Sequence, residues 1–142
     1  MSIFRTTRRI EFSDTDMAGI VHFANFFRFM ETAELEFLKA HGLSFNWQWQ
    51  GEMLGFPRVS AMCNYLKPVR FEDVLEITVR VQNIGRKSVS YTFEFFKAGE
   101  LIAQGEVSSV CCRVGDNDQL QSLEIPDAFR ERLEAGPKGS AV

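Results

Sequence analysis

The sequence predicts an α+β domain in which one long helix packs against a curved five-stranded antiparallel sheet. Apolar residues recur at helical spacing across residues 23–41, which gives a long helix with one apolar face. Residues 75–81 and 89–95 instead alternate apolar and polar side chains, as half-buried strands do. Short connections containing Gly85 and Gly99 predict hairpins, so consecutive strands should pair antiparallel. The helix must bury its apolar face, and the sheet is the surface available to it.

The other elements follow from the same patterns. The chain begins with a predicted strand at residues 3–12, and Gly42 is a typical stop signal after the helix. The apolar stripe of the helix consists of Phe26, Met30, Ala33 and Phe37. The remaining predictions are a strand from Arg58 that breaks near Pro68, strands at residues 75–81, 89–95 and 101–114, and a short helix after Pro126.

Composition limits the classes of protein to consider. A chain of 142 residues with 45% hydrophobic residues suits one domain, which we place at residues 1–135, followed by a flexible Gly/Pro-containing tail at 136–142. The net charge of −3 argues against a nucleic-acid partner. Arginines interrupt the N-terminal segment, and no apolar run reaches membrane-spanning length, so we expect a cytoplasmic protein without a membrane partner. Fourteen Phe residues predict a large aromatic core and an oligomer interface.

The cysteines and acids show no metal-binding pattern. Cys63, Cys111 and Cys112 lack the spacing of a disulfide framework or zinc site, so we predict reduced packing residues. Asp14 and Asp16 lie close to His22, but this spacing matches no metal motif and no metal is expected.

The stretch FSDTDMAGIVHFANFF places two carboxylates just before the helix. Free N–H groups at a helix N-terminus favour a nearby anion and stabilise an oxyanion, so Asp16 next to such donors suits acyl transfer, as nucleophile or as general base. Gly19 would allow close approach of the backbone to a substrate. The alternative is that the acids cap the helix and that His22 is a partly buried packing residue.

The stretch DTDMAGIVHFANFFRFMETAE resembles the signature of the 4-hydroxybenzoyl-CoA thioesterase family, which has the hotdog fold. Weaker likenesses, in the same order along the chain, extend the resemblance over nearly its whole length. The resemblance implies that Asp16 is the catalytic carboxylate, that backbone N–H groups near Phe23 polarise the thioester carbonyl, and that Gly19 and His22 lie in the surrounding loop. It also implies a coenzyme A thioester as substrate, no cofactor, and a homodimer or homotetramer with sites formed between subunits.

The resemblance assigns a second group of residues to coenzyme A. Arg86, Lys87 and Ser88 match a basic-basic-Ser hairpin that holds the nucleotide end, whereas their sequence alone indicates a solvated turn. The sequence departs from the family pattern at His22 and Phe23, where bacterial relatives often carry Tyr-His. The imidazole is therefore shifted by one position, and so is any supporting role that it has. Another hotdog branch uses a helix glutamate as its catalytic carboxylate, which makes Glu31 a rival to Asp16.

Three functions are therefore considered. The first is hydrolysis of an acyl-CoA or aroyl-CoA thioester. The second is an enoyl-CoA hydratase or dehydratase, which would pair an acid with His22. The third is a non-catalytic acyl-CoA binding module, in which Asp14 and Asp16 only cap the helix.

Overall fold

The computed structural model describes residues 3–135, in which two α-helices and nine strands are found. The helices are α1 (Asn25–Ala40) and α2 (Asp127–Glu134). The strands are β1 (Phe4–Arg9), β2 (Trp47–Trp49), β3 (Glu52–Gly55), β4 (Arg58–Tyr65), β5 (Val74–Ile84), β6 (Ser88–Lys97), β7 (Glu100–Val110), β8 (Cys112–Val114) and β9 (Leu120–Ser122). The tail predicted at 136–142 lies outside the described residues.

The main sheet has five antiparallel strands in the order β1-β5-β6-β7-β4, which confirms the predicted sheet. The register shifts between Val81 and Asn83 on β5 and between Phe95 and Phe96 on β6. Bulges of this kind bend a strand and increase its twist, so they help the sheet to curve around α1. The first strand is shorter than predicted, because the chain turns into a 3-10 helix at Phe12–Asp14.

Helix α1 buries the predicted apolar stripe on the main sheet. Phe26, Met30, Ala33 and Phe37 are all at most 4% exposed. The helix begins at Asn25 instead of residue 23, since residues 22–24 form a turn before it. After the helix, Gly42 has a φ of 73°, in the left-handed region that glycine adopts at low cost. Helices commonly end at a glycine in this conformation, so Gly42 is the stop signal that the sequence predicted.

Gly105 on β7 lets α1 approach the sheet closely. A Cβ atom at this position would overlap Sδ of the fully buried Met30 and lie 3.0 Å from the carbonyl oxygen of Met62. We expect Gly105→Ala to lower the free energy of unfolding by about 2 kcal/mol, as overpacking of a filled core does. Urea unfolding measures this change. Glu106→Ala, on the opposite face of β7, is the control and should differ from wild type by about 0.5 kcal/mol at most; equal stability of the two variants would contradict the close contact.

A second, smaller sheet was not predicted. It has the order β2-β3-β8-β9. The prediction of one strand at residues 101–114 is wrong, because the chain leaves the main sheet at Cys111, whose N–H donates to the carbonyl of Lys87 at 2.7 Å, and then enters the small sheet as β8. Strands of three or four residues are too short to show a clear alternation in sequence.

The predicted helix after Pro126 is confirmed as α2. It buries Phe129, whose ring stacks on Phe56 at 4.6 Å between ring centroids. Arg130 Nη2 donates to the carbonyl of Gly85 at 2.8 Å, which ties α2 to the β5–β6 hairpin. The three cysteines are free thiols, as predicted. No helix in the described part of the chain is long and apolar enough to cross a membrane.

Candidate active site

Asp14 shapes the loop that precedes α1. Its side chain is only 8% exposed, and both carboxylate oxygens lie 3.0 Å from Nη2 of Arg8. The N–H of Glu11 also donates to Asp14 Oδ2 at 2.8 Å. The Asp14 carbonyl accepts from the N–H of His22 at 2.9 Å and from Nδ2 of Asn25 at 2.8 Å. Because its oxygens are already occupied, Asp14 has a structural role, in agreement with the interpretation of this acid as a capping or turn residue.

Asp16 lies on a tight turn within the same loop. Its carbonyl accepts from the N–H of Gly19 at 2.9 Å, and its own N–H donates to the carbonyl of Ile20 at 2.9 Å. Carboxylate oxygen Oδ1 accepts from the N–H of Ala18 at 2.8 Å. Gly19 has a φ of 78°, in the left-handed region that glycine adopts at low cost. The turn thus fixes one carboxylate oxygen of a half-buried acid, and Oδ2 receives no hydrogen bond from residues 3–135.

The peptide N–H of Phe23 is the free donor of the turn before α1. The N–H groups on either side of it are occupied, since His22 donates to Asp14 and Ala24 donates to Nδ1 of His22 at 3.1 Å. Asn25 donates to the His22 carbonyl at 2.9 Å. Within residues 3–135, the Phe23 N–H has no acceptor. A donor of this kind is available to a substrate oxygen.

His22 is exposed, so its interpretation as a partly buried packing residue is wrong. Its ring stacks on Phe23 with 4.8 Å between ring centroids, and Nδ1 accepts the Ala24 N–H. The imidazole thus holds the turn that precedes α1 through a ring nitrogen, whereas Ala24, the N-cap residue, makes no side-chain cap hydrogen bond.

Asp16 and Phe23 line one cavity of about 420 Å³. Apart from Asp16 and Lys67, the walls are apolar or aromatic, and Lys67 forms an ion pair with Glu100. The remaining lining residues are Ile20, Val21, Phe26, Tyr65, Leu66, Pro68 and Val69. Gly19 and His22 support this wall from the loop without lining the cavity. Sequence reasoning missed Tyr65, which is on the edge strand β4 and far from the motif in sequence.

The predicted coenzyme A hairpin lies elsewhere in the chain. Phe95 of β6 packs against Phe26 near the start of α1, whereas Tyr91 packs against Phe37 near its end. The β5–β6 hairpin therefore lies beyond the C-terminal end of α1, and a 16-residue helix is about 24 Å long. One chain does not bring this hairpin to the cavity beside Asp16.

Within the hairpin, Arg86 is occupied by a carboxylate. Its Nη2 lies 2.6 Å from Oε1 of Glu124, and this hydrogen bond lowers the pKa of Glu124. Lys87 is exposed and Ser88 is half-buried at the start of β6.

The two helix glutamates differ in their surroundings. Glu31 is exposed and does not line the cavity beside Asp16. Glu34 is buried, which the sequence did not predict. Its Oε2 lies 3.3 Å from Nη2 of Arg58, and its Oε1 has no hydrogen-bond partner in the described part of the chain. Burial raises the pKa of Glu34 to about 7, against the opposing effect of Arg58.

No group of three or more His, Cys, Asp and Glu residues within 3–135 is arranged to hold a metal ion. The cavity itself brings together the Asp16 carboxylate, the free Phe23 N–H and an apolar enclosure, with the paired Lys67 in its wall. These are the components of acyl transfer by a general base or nucleophile and an oxyanion donor.

Comparison with known proteins assigns the family. A family model described as the thioesterase-like superfamily matches residues 10–133. The chain belongs to this superfamily. Its long helix wrapped by an antiparallel sheet is the hotdog fold, as the resemblance implied. The prediction of thioester hydrolysis is thus confirmed at the level of the superfamily, while the roles of individual residues remain predictions.

Two relatives and one solved structure illustrate the likeness. A 1,4-dihydroxy-2-naphthoyl-CoA hydrolase of Nostoc punctiforme is 30% identical, over 92% of this chain and 86% of the relative. An acyl-CoA thioester hydrolase of Escherichia coli is 30% identical, over 78% and 82%. A 4-hydroxybenzoyl-CoA thioesterase variant, solved with 4-hydroxybenzoyl-CoA, superposes with a TM-score of 0.79 at 23% identity, covering 92% of this chain and 98% of the other, which shows the shared fold.

Proposed function

We propose that this protein hydrolyses an acyl-CoA or aroyl-CoA thioester to the free acid and coenzyme A. The observation that carries the proposal is the placement of the Asp16 carboxylate and the free Phe23 N–H at one apolar cavity. The names of the relatives, which are hydrolases of coenzyme A thioesters, support this substrate class.

The proposed chemistry uses Asp16 and a water molecule. As general base, Asp16 takes a proton from water while the oxygen adds to the thioester carbon. The Phe23 N–H donates to the resulting oxyanion, an interaction worth about 3 kcal/mol in comparable sites. Collapse of the tetrahedral intermediate breaks the C–S bond, and the departing thiolate receives the proton. As nucleophile, Asp16 would instead add to the thioester carbon and expel the thiolate as the C–S bond breaks, which forms an anhydride. Water then cleaves the anhydride to the free acid and the Asp16 carboxylate, and the thiolate takes up a proton from water.

The aromatic walls of the cavity suit either an aromatic or an aliphatic acyl group. Phe23, Phe26 and Tyr65 provide flat surfaces, and Ile20 and Val69 provide aliphatic ones. A volume of about 420 Å³ is within the range of small-molecule sites and exceeds what a benzoyl group requires.

We propose that the protein acts in the cytoplasm as a homodimer or homotetramer. Arg86, Lys87 and Ser88 would then bind the phosphates of a substrate whose acyl group lies in a neighbouring subunit's cavity. The separation of the hairpin from Asp16 within one chain supports this arrangement. No cofactor is required by the proposed mechanism.

The direct test is free-thiol release from a panel of aroyl-, aliphatic and enoyl-CoA thioesters. Release from one or more members is expected, and the rates rank the acyl classes. Water addition to an enoyl-CoA without thiol release would identify a hydratase instead. Binding of the thioesters without any turnover would identify the non-catalytic module.

If the hairpin binds coenzyme A, substitutions of Arg86 and of its partner Glu124 should change KM in opposite directions. Arg86→Ala and Lys87→Ala should each raise KM several-fold, with little change in kcat, because each removes one phosphate contact. Glu124→Gln should lower KM, because it removes the negative charge that competes with a phosphate for Arg86. Steady-state kinetics at low and high salt measures both effects. KM values that do not change in any of the three variants would exclude this hairpin from coenzyme A binding.

A further inference from the structure

We propose that Tyr65 is a positioning residue that holds the backbone donor of the site in place. This inference rests on the proposed thioesterase function and adds a residue from another part of the chain to it. The Tyr65 hydroxyl donates to the carbonyl of Phe23 at 2.9 Å. The two residues are 42 positions apart in sequence, so the edge strand β4 reaches across to the turn that carries the free N–H.

The other polar groups of this turn show why the bond matters. The His22 N–H, the His22 carbonyl and the Ala24 N–H each have a partner at 2.9–3.1 Å. The Phe23 carbonyl is less well held by the backbone, because the N–H of Phe26 lies 3.4 Å away. Tyr65 therefore provides the shorter of its two hydrogen bonds.

The same bond fixes the turn relative to the main sheet. Just before the turn, the N–H of Val21 donates to the carbonyl of Val69 at 2.8 Å, which attaches the loop to the segment after β4. The ring of Tyr65 also packs edge-on against Phe26 with 5.2 Å between ring centroids. Tyr65 thus connects β4, the first turn of α1 and Phe23, which lines the cavity and carries the free N–H.

Loss of the Tyr65 hydroxyl should loosen the peptide unit that joins Phe23 to Ala24 and, through the Cα atom of Phe23, let the adjoining peptide unit that carries the free N–H shift its direction. Oxyanion stabilisation depends on donor direction and distance, so a small displacement is costly in the transition state and less costly in substrate binding. Tyr65 is 44% exposed, and Tyr65→Phe retains the ring contact with Phe26. The variant is therefore expected to fold.

The first test compares kcat and KM for Tyr65→Phe and wild type with the thioester that wild type cleaves fastest. We expect kcat to fall by about 10- to 100-fold, with KM changed by about twofold at most. Ser44→Ala is the control, because it removes another hydroxyl-to-carbonyl bond, from Ser44 to Asn46 at 3.0 Å, that is not part of the cavity lining. Its kcat should equal that of wild type.

A spectroscopic measurement separates positioning from a general structural effect. The carbonyl stretching band of the same thioester is recorded by infrared difference spectroscopy when it is bound to Asp16→Asn and to Asp16→Asn with Tyr65→Phe. The oxyanion donor should shift the band to lower frequency in the single variant, and the double variant should move it back towards the value in water.

Each outcome decides between the two proposals. Full kcat in Tyr65→Phe, an unchanged carbonyl band, or a variant that does not fold would overturn the positioning role while wild-type hydrolysis stands. A wild-type protein that releases no thiol from any thioester would instead remove the proposed function, and the role of Tyr65 with it.

Discussion

Asp16→Asn is expected to lower the rate of thioester hydrolysis by about 10²- to 10⁴-fold, which is the usual contribution of a positioned general base. The amide cannot accept the proton of water and is a poor nucleophile. Its side-chain oxygen can still accept the N–H of Ala18, which now bonds to Oδ1 at 2.8 Å, so the turn should keep its shape. The loss should therefore appear in kcat, with thermal stability close to that of wild type.

Two matched variants make this experiment specific. Glu31→Gln applies the same acid-to-amide change to the rival helix carboxylate, which is exposed and does not line the cavity. It should retain kcat. Asp14→Asn removes the charge that pairs with Arg8 and is expected to lower the melting temperature. Hydrolysis that survives Asp16→Asn but is lost in Glu31→Gln would transfer the catalytic role to the helix.

The contrast between Asp14 and Asp16 shows what the sequence alone could predict about the site. Both acids precede the helix, and the capping interpretation fitted both equally well. The structure separates them through Arg8, which occupies both oxygens of Asp14, whereas Asp16 has only a local backbone contact and lines a cavity. Arg8 lies on β1, and no local pattern indicates which acid it would contact.

The periodicity of apolar residues was sufficient to predict the long helix and the long strands, but it could not predict contacts between segments that are distant in sequence. The stripe around Met30 and the alternation in β5 and β6 span enough residues to be read, and these elements agree with the structure. Tyr65 was not recognised because its partner is 42 residues away. Glu34 was missed for a related reason, since its burial depends on where Arg58 lies after folding.

The buried Glu34 leads to a prediction about stability and pH. Its carboxylate lies between α1 and the main sheet, where Arg58 of β4 contacts it at 3.3 Å and Oε1 has no partner within residues 3–135. Desolvation by burial raises its pKa from 4.5 to about 7, with Glu31 adding to the rise and Arg58 opposing it. Burial raises the pKa of Tyr91, and negative charge on Glu34 adds to that rise.

The direction in which the free energy of unfolding changes with pH depends on how many protons the folded and unfolded chains bind. Between about pH 4.5 and 7 the folded protein keeps the Glu34 proton that the unfolded chain has lost, so the free energy of unfolding falls as pH rises. At about 1.4 kcal/mol for each pKa unit, the total loss is about 3 kcal/mol. Below this range both states are protonated, and above it both are ionised, so the contribution of Glu34 becomes constant.

Glu34→Gln isolates this contribution because glutamine is uncharged at every pH. Urea unfolding of both proteins from pH 4.5 to 8, at one protein concentration, should show wild type losing about 3 kcal/mol relative to the variant across this range. Other titrating groups affect both proteins and cancel in the difference. Arg58→Met should extend the fall to higher pH, since removing the cation raises the Glu34 pKa further. A wild-type-to-variant difference that stays constant with pH would mean that Arg58 keeps Glu34 ionised throughout, and that the ion pair, rather than a proton, compensates the burial of this carboxylate.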